Sequence, residues 1–399
     1  MGKPAEYKAG DKLKVRIEKI VPKGFGLAFA PGLTVFVALA APGDVVEVEL
    51  RQLKKNTGFA EIVEVIEPSP VRTVPPCPYF GACGGCDFQQ MTYRAQLDSK
   101  AHIILDCLQR IGKIDYQGEI PVIASPLEFD YRLRAQWHCD TGNRHIGYFR
   151  RESHDVIDVG RCPIATPTLN RALQHLRETI DWETIWSDRI EVEAAHGDSG
   201  DISWYSKDVD SETQKISIHA RGETYLFSAQ TFFQGNQYLV EKLIELAVGG
   251  FSGDFALDLF CGVGLFSLAL ARRFKNVIGV ESSGPSIDFA EENAGNASLD
   301  NIEFRRQGVE AFVKEFTGPM PDLVVFDPPR AGTSKETVLR TLAMKPGWIS
   351  YVSCEPSVLA RDLMWITERG YQIESITGVD LFPQTHHVET IVRLTKPKE

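Results

Sequence analysis

Two residues near the end of the chain have the right types for covalent chemistry. Cys354 lies in SYVSCEPSVLARD (350–362), where an apolar, strand-like run meets an acid and a proline, and Glu389 lies in DLFPQTHHVETIVRL (380–394). C5 of a pyrimidine is a poor nucleophile. A thiolate that adds to C6 turns C5 into an enolate-like carbon able to accept an alkyl group. The C5 proton must then leave, which calls for a base such as Glu389. The thiol needs a cationic or helix-N-terminal setting to ionise. Taken alone, Cys354 reads better as a buried, inert thiol; Asp327 and Glu389 in the same domain reverse that.

Two further constellations accompany it. In ALDLFCGVGLFSLALA (256–271), Asp258 ends an apolar strand and Gly262 and Gly264 open a helix. Glycines there let a ligand approach the backbone at the switch point of an α/β sheet. Glu281, in VIGVES, ends the next strand and can accept hydrogen bonds from ribose hydroxyls. Ser267 occupies the third glycine position of a dinucleotide fingerprint, which favours a nucleoside ligand such as S-adenosylmethionine. In DLVVFDPPRAGTS (322–334), Asp327 ends a strand beside the same crevice and two prolines stiffen the loop. An acid followed by two prolines at that place is typical of enzymes that methylate bases.

A separate group of thiols comes earlier. Cys77, Cys83 and Cys86 in CPYFGACGGC, with Cys162 in DVGRCPI, supply four candidate ligands. That set suits either zinc or an iron–sulfur cluster. Gly81, Gly84 and Gly85 make a wrap around a bulky group, which tilts the reading to [4Fe–4S]. Disulfides are not expected in a cytosolic chain of this size. Cys107, Cys139 and Cys261 read as buried.

These residues need three kinds of scaffold. Residues 1–68 contain about five short strands between turns, as in an OB-like barrel. The uncharged stretch Gly24–Gly43 is long enough for a membrane span but alternates around Pro31-Gly32, so it reads as a hairpin. PSPVRTVPPCP marks a linker, and residues 88–112 have helical periodicity with a glycine stop. From about 120 to 230 the chain is β-rich with one helix near Thr168–Thr179. From 231 onward strands alternate with helices, predicting a parallel, doubly wound α/β sheet.

The 399 residues carry a net charge of −11, which argues against a general nucleic-acid coat. The charge is uneven: residues 1–72 are +2, the remainder −13, and much of the acid lies in Asp181–Glu212. A local basic surface around YRLRAQWH and GYFRRES stays open. The charged N-terminus lacks an apolar signal region, so a cytoplasmic protein without membrane contact is expected.

Together these residues resemble the RNA uracil-5-methyltransferases, the family of the 23S rRNA and tRNA uridine-54 5-methyluridine enzymes. The resemblance covers nearly the whole chain. FFQGN (Phe232–Asn236), DLFCGVG, DPPR, SCEP and HVE fall in family order. It implies an α/β chain with an N-terminal TRAM barrel (1–68), a central iron–sulfur α+β domain (69–230) and a Rossmann-like methyltransferase domain (231–399) against which helix 88–112 packs. It makes Cys354 the nucleophile and Glu389 the proton acceptor. It places Gln234, Phe260, Glu281 and Asp327 on S-adenosylmethionine, and Cys77, Cys83, Cys86 and Cys162 on a [4Fe–4S] cluster. The cofactor position at Leu265 often holds Asn in the family, as does the position of Glu355. A protonated Glu355 could favour cytosine over uracil. The partner is RNA, with rRNA ahead of tRNA, and the protein is expected to be a monomer. A radical methylthiotransferase is disfavoured by the cysteine spacing. A non-catalytic RNA-binding protein and a cytosine-5 enzyme remain as rivals.

Overall fold

A computed structural model describes residues 7–209 and 213–396. Asp210, Ser211 and Glu212 of the acidic stretch, and residues 1–6 of the first domain, lie outside the described residues.

The N-terminal unit is a six-stranded sheet: β1 (Lys12–Arg16), β2 (Lys19–Val21), β3 (Phe25–Ala30), β4 (Leu33–Val37), β5 (Val45–Lys54) and β6 (Thr57–Glu67), in the order β1-β5-β6-β4-β3-β2. One more strand forms than the five expected, because the first apolar run breaks at Ile17-Glu18 into β1 and β2. The stretch Gly24–Gly43 is the β3–β4 hairpin, with Gly32 at φ +76° in its turn. Val15, Val35, Val37, Val46 and Val48 fill the interior, as period-2 alternation demands.

Helix α1 (Tyr93–Arg110) starts five residues later than the periodicity suggested. The residues before it cannot join the helix, since Thr92 N–H donates to the Val71 carbonyl and the Gln90 carbonyl accepts from Thr73 N–H, both at 2.9 Å. α1 packs on the C-terminal domain, where Ile104, Cys107 and Leu108 share a core with Leu359, Ala360 and Leu363. The two-residue strand β7 (Val122–Ile123) follows. The central unit comprises β8 (Arg134–Asp140), β9 (His145–Phe149), β10 (Val156–Asp158), α2 (Pro167–Thr179), β11 (Arg189–His196) and β12 (Ile202–Tyr205), a sheet in the order β10-β9-β8-β11-β12. The hairpin β13 (Ile216–Ala220)–β14 (Glu223–Phe227) leads into the last domain.

That domain runs α3 (Val240–Val248), β15 (Gly253–Leu259), α4 (Leu265–Ala271), β16 (Phe274–Glu281), α5 (Gly284–Asn296), β17 (Ile302–Arg306), α6 (Val309–Glu315), β18 (Leu323–Phe326), α7 (Lys335–Ala343), β19 (Trp348–Ser353), α8 (Pro356–Thr367), β20 (Gln372–Val379) and β21 (Glu389–Thr395). The sheet order is β17-β16-β15-β18-β19-β21-β20-β7, with β7 lent by the chain after α1. Apolar cores cover both faces: α3 and α4 on one, α1 and α6–α8 on the other. The expectation of a wholly parallel sheet is corrected here. β21 runs antiparallel to both β19 and β20. The β20–β21 connection contains no crossover helix, and without one a parallel return is not available. Among the described residues no helix is long and apolar enough to cross a membrane.

Candidate active site

Antiparallel pairing at the sheet centre builds the site. The last pair of β19 and β21 is Ser353 with Thr390. Continuing that register by one residue sets Cys354 opposite Glu389. Directly opposed residues in an antiparallel pair have Cβ atoms about 4.5–5.5 Å apart. Cys354 is half-buried between β19 and α8, and Glu389 is 5% exposed.

Asp327 enters from β18, next to β19. Its N–H donates to the Leu259 carbonyl at 3.3 Å, tying the two loops of the switch point together. Beneath lies Asp258, fully buried, with Oδ2 accepting from Ser267 Oγ at 2.5 Å and Oδ1 without a partner among the described residues. Burial pushes Asp258 up to about 7 and, with the Asp258 charge, Asp327 up to about 8. Burial and then Asp327 push Glu389 well above the ordinary carboxylate range. Burial, Glu389 and Asp327 push the Cys354 thiol up to about 12 against the opposing field of Arg330. Each acid resists ionisation, and the charge of one disfavours that of its neighbour.

The wall of the crevice is the turn after β15. Phe260, Gly262 and Gly264 have φ of +69°, +54° and +89°. A Cβ on Gly264 would lie 3.1 Å from Leu268, whereas one on Gly262 would meet nothing within 4 Å. Gly264 is therefore required by its left-handed backbone, with Leu268 close by, and the backbone at Gly262 faces open space. Glu281 closes the turn by accepting from Gly262 N–H (3.3 Å) and Ser283 N–H (2.8 Å). Gln234 is buried in FFQGN, a segment locked by Leu133 N–H on the Gly235 carbonyl (3.1 Å) and Asn236 Nδ2 on Ser125 Oγ (3.0 Å). Open space, an unpartnered buried acid oxygen and three suppressed carboxylates suit a nucleoside that carries positive charge, as S-adenosylmethionine does. Leu265 is buried in the core beneath this turn and offers no polar atom.

Glu355 does not project freely. Its Oε1 accepts from Ser357 Oγ (2.7 Å) and Ser357 N–H (3.4 Å), capping α8. Arg330, the last residue of DPPR and not among the expected site residues, sits with Nη2 3.2 Å from His387 Nδ1. His387 is pushed down to about 3 by burial and by the neighbouring cations. It is therefore a neutral imidazole. Phe232 is 63% exposed, and the Arg134 guanidinium lies 5.7 Å from its ring centroid.

The four distant thiols are brought to one place. Cys77, Cys83, Cys86 and Cys162 line a single cavity, with Gln89 and Arg132 in its wall. The loop is shaped by Cys83 N–H on the Tyr79 carbonyl (2.8 Å) and Gly81 at φ +89°. Gly85 N–H donates to Cys83 Sγ at 3.4 Å. Asn170 holds Cys162 by both its N–H (2.8 Å) and its carbonyl (3.0 Å). Burial, and then Cys162, hold Cys86 above its ordinary value. Among the described residues no three His, Cys, Asp or Glu side chains converge closely enough for a single metal ion. Cys107, Cys139 and Cys261 are buried elsewhere, as expected. Three of the four arginines of YRLR and FRRES are engaged within the protein, and Arg150 is exposed. Arg132 faces the thiols, Arg134 donates to the carbonyls of Thr231, Phe233 and Ala229, and Arg151 pairs with Asp87. Arg132 could not be found from sequence, since nothing local ties it to cysteines on both sides of it in the chain.

The tRNA (Uracil-5-)-methyltransferase family matches residues 201–397, and the TRAM domain of tRNA (uracil(54)-C(5))-methyltransferase matches residues 13–71. A relative from Aquifex aeolicus (strain VF5), described as an uncharacterized RNA methyltransferase, is 33% identical over 96% of this chain and 98% of its own. The tRNA (uracil(54)-C(5))-methyltransferase of Schizosaccharomyces pombe is 32% identical over 94% of this chain and 76% of its own. The crystal structure of the Pyrococcus abyssi tRNA (uracil-54, C5)-methyltransferase in complex with S-adenosyl-L-homocysteine superposes with a TM-score of 0.75. It is 26% identical and covers 96% of this chain and 100% of its own.

Proposed function

We propose how this chain, which belongs to the family of RNA uracil-5-methyltransferases, performs its reaction: Cys354 adds to C6 of a uridine, C5 takes a methyl group, and Glu389 removes the C5 proton. The observation that supports this reading is the end of the β19–β21 ladder at Ser353–Thr390, one residue from both Cys354 and Glu389, with the Glu389 charge acting on the thiol. S-adenosylmethionine supplies the electrophilic methyl group when bound. Gln234, Phe260, Glu281 and Asp327 would hold it, with Leu265 giving only an apolar contact.

The chain's own residues account for the remaining steps. Cys354 must first lose its proton, and the Arg330 field favours the thiolate. The S–C6 bond then forms and C5 becomes nucleophilic. After C5 is methylated, Glu389 takes its proton, the electron pair restores the C5–C6 double bond and the S–C6 bond breaks. Glu389 must be ionised for that step, so its suppressed ionisation has to be relieved by positive charge in the crevice.

Cys77, Cys83, Cys86 and Cys162 fit a [4Fe–4S] cluster. In a cluster each thiolate bonds a different iron, so four thiols spread round a cavity suit it better than one zinc, which needs every sulfur within about 2.3 Å. Arg132 would balance the cluster's negative charge. The role assigned to the cluster is structural or RNA-positioning. The barrel (1–68) and central domain (69–230) would grip the RNA while the target base flips into the crevice of 231–399.

The cysteine resemblance favours 23S rRNA as the substrate. The two relatives whose names state a substrate favour uridine-54 of tRNA. One experiment addresses chemistry and target together. Anaerobically purified protein is incubated with S-adenosylmethionine and 5-fluorouridine-substituted total RNA. Fluorine cannot leave C5 as a proton, so the adduct persists. A denaturation-stable band joined through Cys354, absent in Cys354→Ala, supports the mechanism, and sequencing its RNA names the nucleotide. No band from folded protein that binds S-adenosylmethionine rejects it.

A further inference from the structure

A continuous polar track joins the cysteine loop to the Cys354–Glu389 pair. It starts at Asp87, the residue after Cys86, which is 8% exposed. Asp87 Oδ1 accepts from Nη1 and Nη2 of Arg151 at 3.1 Å each, and Arg151 also donates to the Cys86 carbonyl at 2.8 Å. Asp87 Oδ2 lies 2.6 Å from His386 Nδ1. Alongside, the backbone N–H groups of Asp87 and Phe88 converge on the Gln384 carbonyl.

Gln384 is itself held in an unfavourable conformation. Its φ is +69°, in the left-handed region that a residue with a Cβ rarely adopts. Gln96 compensates, since it accepts from Gln384 N–H at 2.9 Å and donates to Gln384 Oε1 at 2.9 Å. The segment 384–386 is thus bound by buried groups from the cysteine loop and α1, which water cannot replace.

From His386 the track continues into the site. The His386 and His387 rings lie 4.1 Å apart between centroids. Arg330 contacts His387 and its Nε lies 3.9 Å from Glu355 Oε2, next to Cys354. Glu389 follows two residues after His387.

We propose that Asp87 is a positioning residue for the methylation: its pairing with His386 fixes the segment Gln384–Glu389 and, through His387, Arg330, so that order in the Cys77–Cys86 loop is transmitted to Cys354. The inference rests on the assignment of Cys354 and Glu389 made above. Asp87 touches no reacting atom and acts by placement. A misplacement of about 1 Å in such a constellation can cost on the order of 100-fold in rate.

The test is hydrogen–deuterium exchange over peptides 380–389 in the full chain, read beside iron content and steady-state kinetics on total RNA. The proteins are wild type, wild type stripped of iron with a chelator, Asp87→Ala, His386→Ala and Asp87→Asn. In the two alanine variants iron content and KM for S-adenosylmethionine stay near wild type. Exchange over 380–389 accelerates by roughly tenfold or more, exchange in β15 does not change, and kcat falls about 10- to 100-fold. Asp87→Asn, which can still accept from Arg151 and pair with His386, recovers most of the kcat. Iron removal speeds exchange over the same peptides. Wild-type exchange and kcat in both alanine variants overturn the proposal. If Asp87→Ala does not fold, His386→Ala decides, since it leaves Asp87 on Arg151. The exchange readout needs no methylation. A wild-type protein that never methylates, yet shows the exchange pattern, counts against the functional reading and leaves the clamp standing.

Discussion

Cys354 and Glu389 come together because β21 runs antiparallel to β19, and each lies one residue beyond the last pair, Ser353–Thr390. A parallel strand in that slot would have its start, and not a carboxylate opposite the thiol, at a different end of the sheet. The reversal that completes the sheet is therefore also what assembles the pair. Glu389→Gln preserves shape and hydrogen bonding but cannot take the C5 proton. Methyl transfer to C5 then proceeds and the adduct cannot resolve. We expect turnover to fall by roughly 10²- to 10⁴-fold, with a radiolabelled methyl group trapped in a denaturation-stable protein–RNA band on unmodified RNA. A variant that turns over normally excludes Glu389 as the base.

The suppressed acids make cofactor binding depend on pH. Asp258 and Asp327 are raised to about 7 and about 8, and Glu389 is also raised. The folded protein therefore keeps protons that the unfolded chain releases above about pH 4. Their contribution to stability is full below that pH and is lost as the pH climbs through the raised values. A ligand bearing an extra positive charge offsets the loss. We expect S-adenosylmethionine to raise the Tm more near pH 8.5 than near pH 5.5, and neutral S-adenosylhomocysteine to show a smaller difference. Thermal unfolding with each ligand at both pH values reads this directly. Equal differences for the two ligands would falsify the idea that the acids face the sulfonium.

Much of this arrangement can be read from the chain. Cys354, Asp327 and the Gly262–Gly264 turn each sit where an apolar strand gives way to a loop, and local periodicity marks such places. Strand direction is different. Apolar runs and alternation carry no sign of which way a strand points, so the sheet reads as wholly parallel until β21 is seen. The same limit hides Arg132 among the cysteines and Asp87 beside His386, contacts that span long stretches of chain. Residues 88–92 look helical because apolar residues recur there, yet Val71 and Thr73 claim the Thr92 N–H and the Gln90 carbonyl, and α1 begins at Tyr93.

Lys100 and Asp380 form an ion pair in which neither side chain is exposed, and Lys100 also donates to the Phe382 carbonyl at 3.0 Å. Among the described residues Asp380 Oδ2 has no hydrogen-bond partner. The pair ties α1 to the segment that leads to Glu389. Lys100→Met strands a buried carboxylate and should cost about 3–5 kcal/mol, whereas Lys100→Met with Asp380→Leu should recover most of that. Urea unfolding midpoints at unchanged slope test both. A single variant as stable as wild type would mean that Asp380 is already neutral in the folded chain.

Glu355 follows the nucleophile at a position where asparagine is often found in similar enzymes, and a carboxylic acid there raises the question of cytosine. The structure gives the side chain a local task, capping α8 through Ser357. Asparagine performs the same task, since both residues offer an oxygen to the first free N–H groups of a helix. Glu355→Asn should therefore change stability by no more than about 0.5 kcal/mol, and Glu355→Ala should cost about 1 kcal/mol. Neither should move the methyl group from uridine to cytidine. Nucleoside analysis of RNA methylated by each variant checks this. Appearance of 5-methylcytidine in wild type, and its loss in Glu355→Asn, would show that the carboxyl group reads the base after all.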